Sequence, residues 1–475
     1  MSTINTNVSS LIAQRSFAVN SQSLSTSLQR LSTGLKINSG ADDPAGLIAS
    51  NALQAEQTGI NAAIGNANQA NNVIGTAAGG LSQTSSLLNQ LQGLLTQSAN
   101  AGALSSDQVA ANQLQVDSIL STINRISNST TFQGSHLLDG TLAYTTSSTG
   151  TSAFAAISVN AANLPAAGKE AVVVQVTNSA VLGKVAFTGA TSALGASAVT
   201  LQIAGTNGTQ QLSFAAGTKL SAVANAINSI SQDTGVTASA NGSNLSFLTS
   251  TYGSNQFVSV QAINPGTTFS VTGGTSGKAF GTNAAVSVNG AAATVQGTTV
   301  SYRNDNLDVS FNLSSALNKG KTKTFGITGG GATFSLGDTV NTSGKSSIGI
   351  SSTASTALGD ATNGYLSSLG TGGTNSLTSG NLNQAQKVLT EAINQVSTLS
   401  GRLGAFQKFT LGSTISSLNV AYENISSANS NIADTNFAEE TANLTREQIL
   451  QQASTTVLAQ ANSAPQAALS LLQHA

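Results

Sequence analysis

The residues able to do chemistry in this chain are few. Asp42 and Asp43 are adjacent carboxylates. Paired carboxylates can share acid–base work, but neighbours in sequence seldom converge on one substrate. Pro44 and Gly46 follow them, so Asp42-Asp43-Pro44-Ala45-Gly46 reads as a turn between helices. His136 and His474 are the only histidines, and cysteine is absent. A zinc site draws three or four ligands from His, Cys and carboxylates, and no His-Glu-x-x-His spacing occurs. A Ser-His-Asp triad would have to recruit one of the two histidines, both in the helical ends of the chain. A solvent-facing or capping role suits them better. Gly329-Gly330-Gly331 lacks the following Lys-Ser/Thr of a phosphate-cradling loop and reads as a connection or turn. No catalytic residue, metal or cofactor is expected.

Composition excludes further classes. Only 7% of the 475 residues are charged and the net charge is −1, so there is no basic excess to meet a nucleic acid. Hydrophobic residues reach 39%, but 4% are aromatic and Trp is absent. Such low charge limits the solubility of a free monomer, and suits a chain buried against copies of itself. The missing cysteines fit a reducing cytoplasm and an oxidising exterior equally well. No stretch approaches about 20 apolar residues, so no membrane insertion is expected. Residues 1–11 are polar and mixed, so no cleaved secretory signal is expected there.

The elements that position these residues fall into three blocks. In residues 1–140 apolar side chains recur at helical spacing: Ile4, Val8 and Leu11, then Phe17, Leu24, Leu28, Leu31 and Leu35. Ile60, Ile64, Ile74, Leu81, Leu88 and Leu95 mostly keep a seven-residue frame, and Val109, Val116, Ile119, Ile123 and Ile126 mark a third helix. Gly34, Gly40 and the Asp42–Gly46 run separate the first two helices, Asn100-Ala101-Gly102 separates the second from the third, and Ser106 is a candidate cap. Residues 378–475 carry two more stripes, Leu389 to Phe406 and Leu411 to Ile432. After a break near Asp434–Asn436, a terminal helix with Leu444, Ile449, Leu450, Val457 and Leu458 reaches Leu472, and Pro465 predicts a kink or an interruption in it.

Residues 141–377 are rich in Gly, Ser, Thr and Ala with short β-branched runs. Two hairpins are predicted. Val199–Ile203 and Gln210–Phe214 flank Asn207-Gly208, and Val236–Ala240 and Leu245–Leu248 flank Asn241-Gly242. Leu220, Val223, Ile227 and Ile230 predict a short helix, and Ala171–Val176, Val286–Val288, Val309–Leu313 and Thr333–Leu336 are further strands. The Ser/Thr-rich surface reads equally as a site of O-glycosylation or as plain polar β surface. Neither helical end can bury its stripe alone, so the two ends should pair and project the middle outward.

Ordered motifs at both ends resemble the bacterial flagellins. Leu31-Ser32-Thr33-Gly34-Leu35-Lys36-Ile37-Asn38-Ser39-Gly40 running into Asp42-Asp43-Pro44-Ala45-Gly46 matches their N-terminal motif, followed by Gln97-Ser98-Ala99-Asn100 and Phe132-Gln133-Gly134. Arg402-Leu403-Gly404-Ala405-Phe406-Gln407, Glu423-Asn424-Ile425, Asp434-Thr435-Asn436-Phe437-Ala438, Gln448–Ala453, Leu458–Asn462, Pro465-Gln466 and Leu469–Leu472 follow in family order. The likeness covers about the first 140 and last 95 residues. Val199 to Val260 resembles the small repeat of the family's variable regions. The chain departs at its end, Leu472-Gln473-His474-Ala475, and at Gln90 and Gln115, where receptor-recognised members carry Arg and Glu, while Leu94 matches. Gln90, Leu94 and Gln115 are thus the candidate receptor-facing surface.

The resemblance implies an α+β multidomain fold, with a long antiparallel helical coiled-coil core from both termini and a β-rich variable insertion. Residues 1–40 and 440–475 would form the inner-tube coiled coil and 41–140 with 378–439 a helical core domain. Residues 141–377 would form a surface region, in one lobe or in two (141–275 and 276–377). The implied function is an exported, extracellular subunit that polymerises into the flagellar filament for swimming. Rival readings are a hook–filament junction protein and a filament subunit whose middle acts as an adhesin. Implied partners are other copies of the chain, flagellar cap and hook-junction proteins, an export chaperone and the flagellar type III export apparatus. The candidate self-assembly residues are Ile4, Val8, Leu11, Leu24, Leu28, Leu31, Leu35, Asp42, Asp43, Leu450, Val457, Leu458, Leu469, Leu471 and Leu472. The outermost segments, 1–35 and 440–475, are expected to order only on association.

Overall fold

The structure is a computed structural model that describes residues 6–100, 104–148, 153–165, 168–264, 269–304, 306–314, 320–341 and 343–473. Helices α1 (Val8–Thr33), α2 (Pro44–Ser98) and α3 (Ser106–Ser129) lead the chain. The middle holds α4 (Leu220–Ser229) and the single turn α5 (Ser231–Thr234), and the end holds α6 (Leu382–Ala405), α7 (Gly412–Ala433) and α8 (Phe437–Gln473).

Each helix boundary has a local chemical cause. Asn7 Oδ1 accepts the Ser10 N–H at 3.0 Å and starts α1; Gly34 ends it with a left-handed φ of 74°, which costs a glycine nothing. Asp43 Oδ1 accepts from the N–H groups of Ala45 at 3.1 Å and Gly46 at 2.9 Å. Pro44 then fills the first position of α2, where its missing N–H is harmless. α3 opens on a reciprocal capping box of Ser105 and Gln108, so the cap lies one residue before the expected Ser106. Asn436 Oδ1 accepts the Ala438 N–H at 3.2 Å at the start of α8, whose first turn carries Glu439 and Glu440.

The interruption expected at Pro465 is not found, and α8 runs through it. Proline has no N–H for the carbonyl four residues back, that of Ala461. That carbonyl accepts instead from Nδ2 of Asn7 at 2.8 Å.

The core of α2 is a strict alternation of three- and four-residue steps: Ile60, Ala63, Ala67, Ala70, Ile74, Ala77, Leu81, Thr84, Leu88, Leu91, Leu95 and Ser98 are all buried. That is the seam of a coiled coil. α6 repeats it with Ala385, Leu389, Ala392, Val396, Leu399, Leu403 and Phe406, after which the helix widens into a π turn over Phe406–Leu411.

The chain divides into two compact units, one of residues 1–69, 335–344 and 411–475, the other of 70–334 and 345–410. Within the second, half-buried and buried amides tie the helices together. Gln92 and Gln386 exchange hydrogen bonds at 2.7 and 2.8 Å between α2 and α6. Gln113 of α3 donates to the Leu369 carbonyl and accepts the Leu377 N–H, both at 2.8 Å.

The β-rich part of that unit has two hydrophobic cores. One lies between the five-stranded sheet containing Glu170–Asn178 and Thr322–Gly329 and the four-stranded sheet containing Phe154–Ala162 and Leu307–Leu313. Phe154, Phe311 and Phe325 meet edge to face at its centre, with centroids 5.3–5.6 Å apart. The other, from residues 185–279, gathers two four-stranded sheets and α4, with Leu220, Val223 and Ile227 buried. Both predicted hairpins form here. Val199–Gly205 pairs with Thr209–Phe214, and Val236–Asn241 pairs with Asn244–Thr249 across a turn in which Gly242 has φ 62°.

Candidate assembly surface

In the first unit, α1 and α8 lie antiparallel, and the contacts climb both helices in step. Asn7 reaches the Ala461 carbonyl, and Ser10 Oγ donates to Asn462 Oδ1 at 2.6 Å. Asn20 Nδ2 donates to Ser454 Oγ at 2.6 Å, and Arg30 faces Glu440 at 3.9 Å. Beyond the helix ends, a two-residue bridge pairs Leu35 with Asp434, and the Lys36 N–H donates to the Ala433 carbonyl at 2.7 Å. α2 joins α7 in the same unit through Ser50 Oγ and Asn429 Oδ1 at 2.7 Å.

On α1 this pairing fully buries only small residues; Phe17, Leu24 and Leu31, with Leu444 and Leu458 of α8, are half-buried, and other large apolar residues stay outside. The buried residues of α1 are Ser10, Ala13 and Ser27. Val8, Leu11, Ile12, Val19 and Leu28 of α1 are 50–63% exposed, and on α8 Phe437, Ile449 and Val457 are 57–62% exposed. A groove of about 270 Å³ runs between the helices, lined by Ile12, Ala13, Leu450, Ala453 and Val457 among others. Several large apolar side chains left exposed on one helix pair, around an apolar groove, mark a site of association.

The candidate residues fall on this unit as follows. Val8, Leu11, Leu28, Leu35, Leu450 and Val457 are exposed; Leu24, Leu31 and Leu458 are half-buried. Ile4 lies outside the described residues. Leu469, Leu471 and Leu472 lie within α8, with their side chains outside the description. Asp42 organises the loop between α1 and α2. Its Oδ2 accepts the N–H groups of Ser39 at 2.8 Å and Asn38 at 3.1 Å and the Ser39 hydroxyl at 3.0 Å. The Ser39 N–H above all, then its hydroxyl and the Asn38 N–H, hold this carboxyl below its ordinary pKa. Both carboxylates are spent on backbone N–H groups, which is turn and cap chemistry.

In the second unit, Gln90 is exposed and Leu94 half-buried on α2, and Gln115 is exposed on α3 beside Leu114, itself 70% exposed. Asp117 accepts the N–H of Thr371 at 2.8 Å and its hydroxyl at 2.5 Å. Partial burial works to raise the Asp117 pKa, but these bonds outweigh it and the pKa falls. Arg402, largely buried, donates to Asn160 Oδ1 and the Gly349 carbonyl. Burial lowers its pKa despite the Asp308 carboxylate nearby.

His136 is exposed on a two-residue strand, and His474 lies outside the described residues. Gly329, Gly330 and Gly331 form a tight turn at φ 150°, 90° and 81°, and a Cβ on Gly330 would sit 2.1 Å from the Ala143 carbonyl oxygen. Among the described residues no three of His, Cys, Asp or Glu gather as metal ligands, and no helix is long and apolar enough to cross a membrane.

Sequence reasoning missed the residues that join α1 to α8. Asn7, Ser10, Asn20 and Ser454 are polar and sit off the apolar stripes, so periodicity could not find them.

Paired terminal helices with large apolar side chains left exposed, joined through a β-rich insertion, define a self-associating structural subunit. The model of the bacterial flagellin N-terminal helical region matches residues 4–143, that of the C-terminal helical region 386–472, and that of the flagellin hook IN motif 200–251. Polar flagellin F of Vibrio parahaemolyticus is 29% identical over 475 residues, 99% of each chain. Flagellin D of Vibrio cholerae is 28% identical over 470 residues, again 99% of each. B-type flagellin of Pseudomonas aeruginosa is 42% identical over 164 residues, 34% of this chain and 33% of that one. Crystallised D2-D3 domains of the flagellar cap protein FliD from Serratia marcescens overlap 36% of this chain and 95% of theirs at 23% identity, with a TM-score of 0.26, too slight a likeness to bear on the fold. The chain belongs to the bacterial flagellin family.

Proposed function

We infer that this flagellin is a structural subunit of the flagellar filament, an extracellular appendage, and that it polymerises with copies of itself. The observation that carries the reading is the exposure of Val8, Leu11, Ile12 and Val19 on α1 and of Ile449, Leu450 and Val457 on α8, in a pair whose apolar contacts are only half-buried. Burial of these side chains against neighbouring copies supplies the stabilisation the pair lacks, at roughly 25 cal/mol per Å² of apolar surface. Contacts that are not self-complementary and repeat head to tail give an open helix, the geometry of a filament. The full-length likeness to flagellins does not favour a hook-junction or an adhesin role.

Residues 1–40 and 440–475 form the inner coiled coil, 41–140 with 378–439 the next layer, and 141–377 the solvent-facing region. Val8, Leu11, Leu24, Leu28, Leu31, Leu35, Leu450, Val457 and Leu458, with Ile4, Leu469, Leu471 and Leu472, contact neighbouring subunits. The loop that Asp42 and Asp43 shape contributes to those contacts. Export proceeds through the flagellar type III apparatus with a chaperone, and subunits add beneath a cap above hook-junction proteins. Gln90, Leu94 and Gln115 stand at the receptor-facing positions of recognised members with two charges fewer, which weakens detection by an innate receptor. The chain acts without enzymatic chemistry.

Seeding purified protein with sheared filament ends and imaging by electron microscopy tests the reading. Long hollow fibres are expected; protein that stays monomeric across concentration and seed density contradicts it.

A further inference from the structure

The large apolar side chains set between the two terminal helices are only half-buried: Phe17, Leu24 and Leu31 on α1, Leu444 and Leu458 on α8. On α8 the large side chains Phe437, Ile449, Leu450 and Val457 are all exposed, and the fully buried residues of α1 are Ser10, Ala13 and Ser27. The hydroxyls of Thr441, Thr445, Ser454 and Thr455 each bond the carbonyl four residues back in α8. Half-buried apolar contacts and hydroxyls spent on their own helix hold the pair weakly against a slip of one turn, about 5.4 Å.

Arg30 with Glu440 and the Leu35–Asp434 bridge tie one end of the pair, and at the other end one position is unlike the rest. Pro465 is the proline inside α8, and it leaves the Ala461 carbonyl without its helical N–H. Asn7 Nδ2 donates to that carbonyl at 2.8 Å while Asn7 Oδ1 accepts the Ser10 N–H at 3.0 Å. A single amide therefore caps α1 and fills the gap in α8. A carbonyl stripped of its donor exists at one place, so the bond forms in one register.

We propose that Asn7 and Pro465 are a matched pair that sets the register of α1 against α8, with Asn7 as the positioning residue for assembly. The inference rests on the reading that the α1–α8 pair persists in the filament. Register matters there because it decides which apolar residues of the two helices present a joint face to the next subunit. A slip of one turn would offset Val8, Leu11 and Ile12 from Val457 and leave the neighbour's complementary surface mismatched. A single buried polar residue fixing register is a known device of coiled coils, and here it is supplied through a proline.

The absence of native cysteine makes the test direct. Full-length chains carry Asn20→Cys with Ser454→Cys to report the observed register, or with Leu458→Cys or Leu450→Cys to report a slip of one turn. Disulfide yield is read in assembled filaments. Asn7→Asp keeps the cap on α1 but removes the donor, and should raise the slipped fraction about tenfold, equivalent to about 1.4 kcal/mol. Asn7→Ser, which also caps but cannot reach α8, should do the same without adding a charge. Pro465→Ala restores an N–H for Ala461, and in that background either Asn7 substitution should change the slipped fraction by less than about twofold. Equal increments in both backgrounds, or no increment with proline present, would overturn the proposal. If the Asn20→Cys, Ser454→Cys chain with Asn7 and Pro465 intact polymerises yet forms no disulfide between those two positions, the helix-pair reading itself fails and takes the register lock with it.

Discussion

Ile449 is the sharpest place to perturb assembly without perturbing the subunit. It is 62% exposed on α8. Fully burying an isoleucine is worth roughly 1.5–3 kcal/mol, so closing the exposed fraction against a neighbour contributes about 1–2 kcal/mol per subunit. Ile449→Gln forfeits that and brings an amide to the contact, which costs roughly another 1–3 kcal/mol if it finds no partner. A loss of at least about 2 kcal/mol raises the critical concentration for growth about 30-fold. Glutamine is at least as good a helix former as isoleucine, so the free chain keeps its melting behaviour. The assay is the soluble protein remaining after seeded growth and sedimentation, with calorimetry on the monomer as control. A critical concentration within about twofold of the parent would refute the claim that this face is buried in the filament.

Other consequences follow from the same structure. Leu88→Ala empties a fully buried position of the α2 seam and should cost about 2–5 kcal/mol in the denaturant-induced unfolding of the monomer. Gly330→Ala places a Cβ 2.1 Å from the Ala143 carbonyl oxygen at φ 90°, so the β-rich region should melt at a distinctly lower temperature, visible by calorimetry. Asp42 has a folded pKa below its ordinary 3.8, so its support of the loop is complete above that value and is lost as pH falls through the lower folded one. Amide exchange at Ser39 should therefore quicken only in strong acid; loosening as pH rises through neutrality would contradict the sign. Arg402→Ala strips donors from Asn160 and the Gly349 carbonyl and should destabilise the monomer by about 2–3 kcal/mol in denaturant titration.

The helical ends are legible in the sequence because their seams repeat. Leu81, Leu88 and Leu95 announce the coiled-coil frame of α2, and Leu389 to Phe406 that of α6. The alanines at 63, 67, 70 and 77 are not, because alanine is as common on exposed helix faces as in seams, and only packing shows which it is. In the middle, strands next to Asn-Gly turns are readable from the turn chemistry. Phe154–Ala162, Lys184–Thr188 and Thr322–Gly329 are not, since their alternation is diluted by Ala, Gly and Thr and their partners are distant in sequence. At the candidate surface the apolar residues are visible in the sequence and their outward direction is not. Pro465 misleads for a stated reason: its cost to the helix is met by Asn7, more than four hundred residues away.

The terminal pair gains most of its stability from neighbouring copies. Each ordered residue costs about 1–2 kcal/mol of backbone entropy, and α1 fully buries only Ser10, Ala13 and Ser27 against it. Amide hydrogen exchange on the free chain and on its filaments tests this most directly. Amides of α1 and α8 should exchange rapidly in the monomer while those of the α2 and α6 seams are protected, and should slow by about a thousandfold or more on polymerisation. Protection of α1 and α8 in the monomer equal to that in the filament would contradict the account.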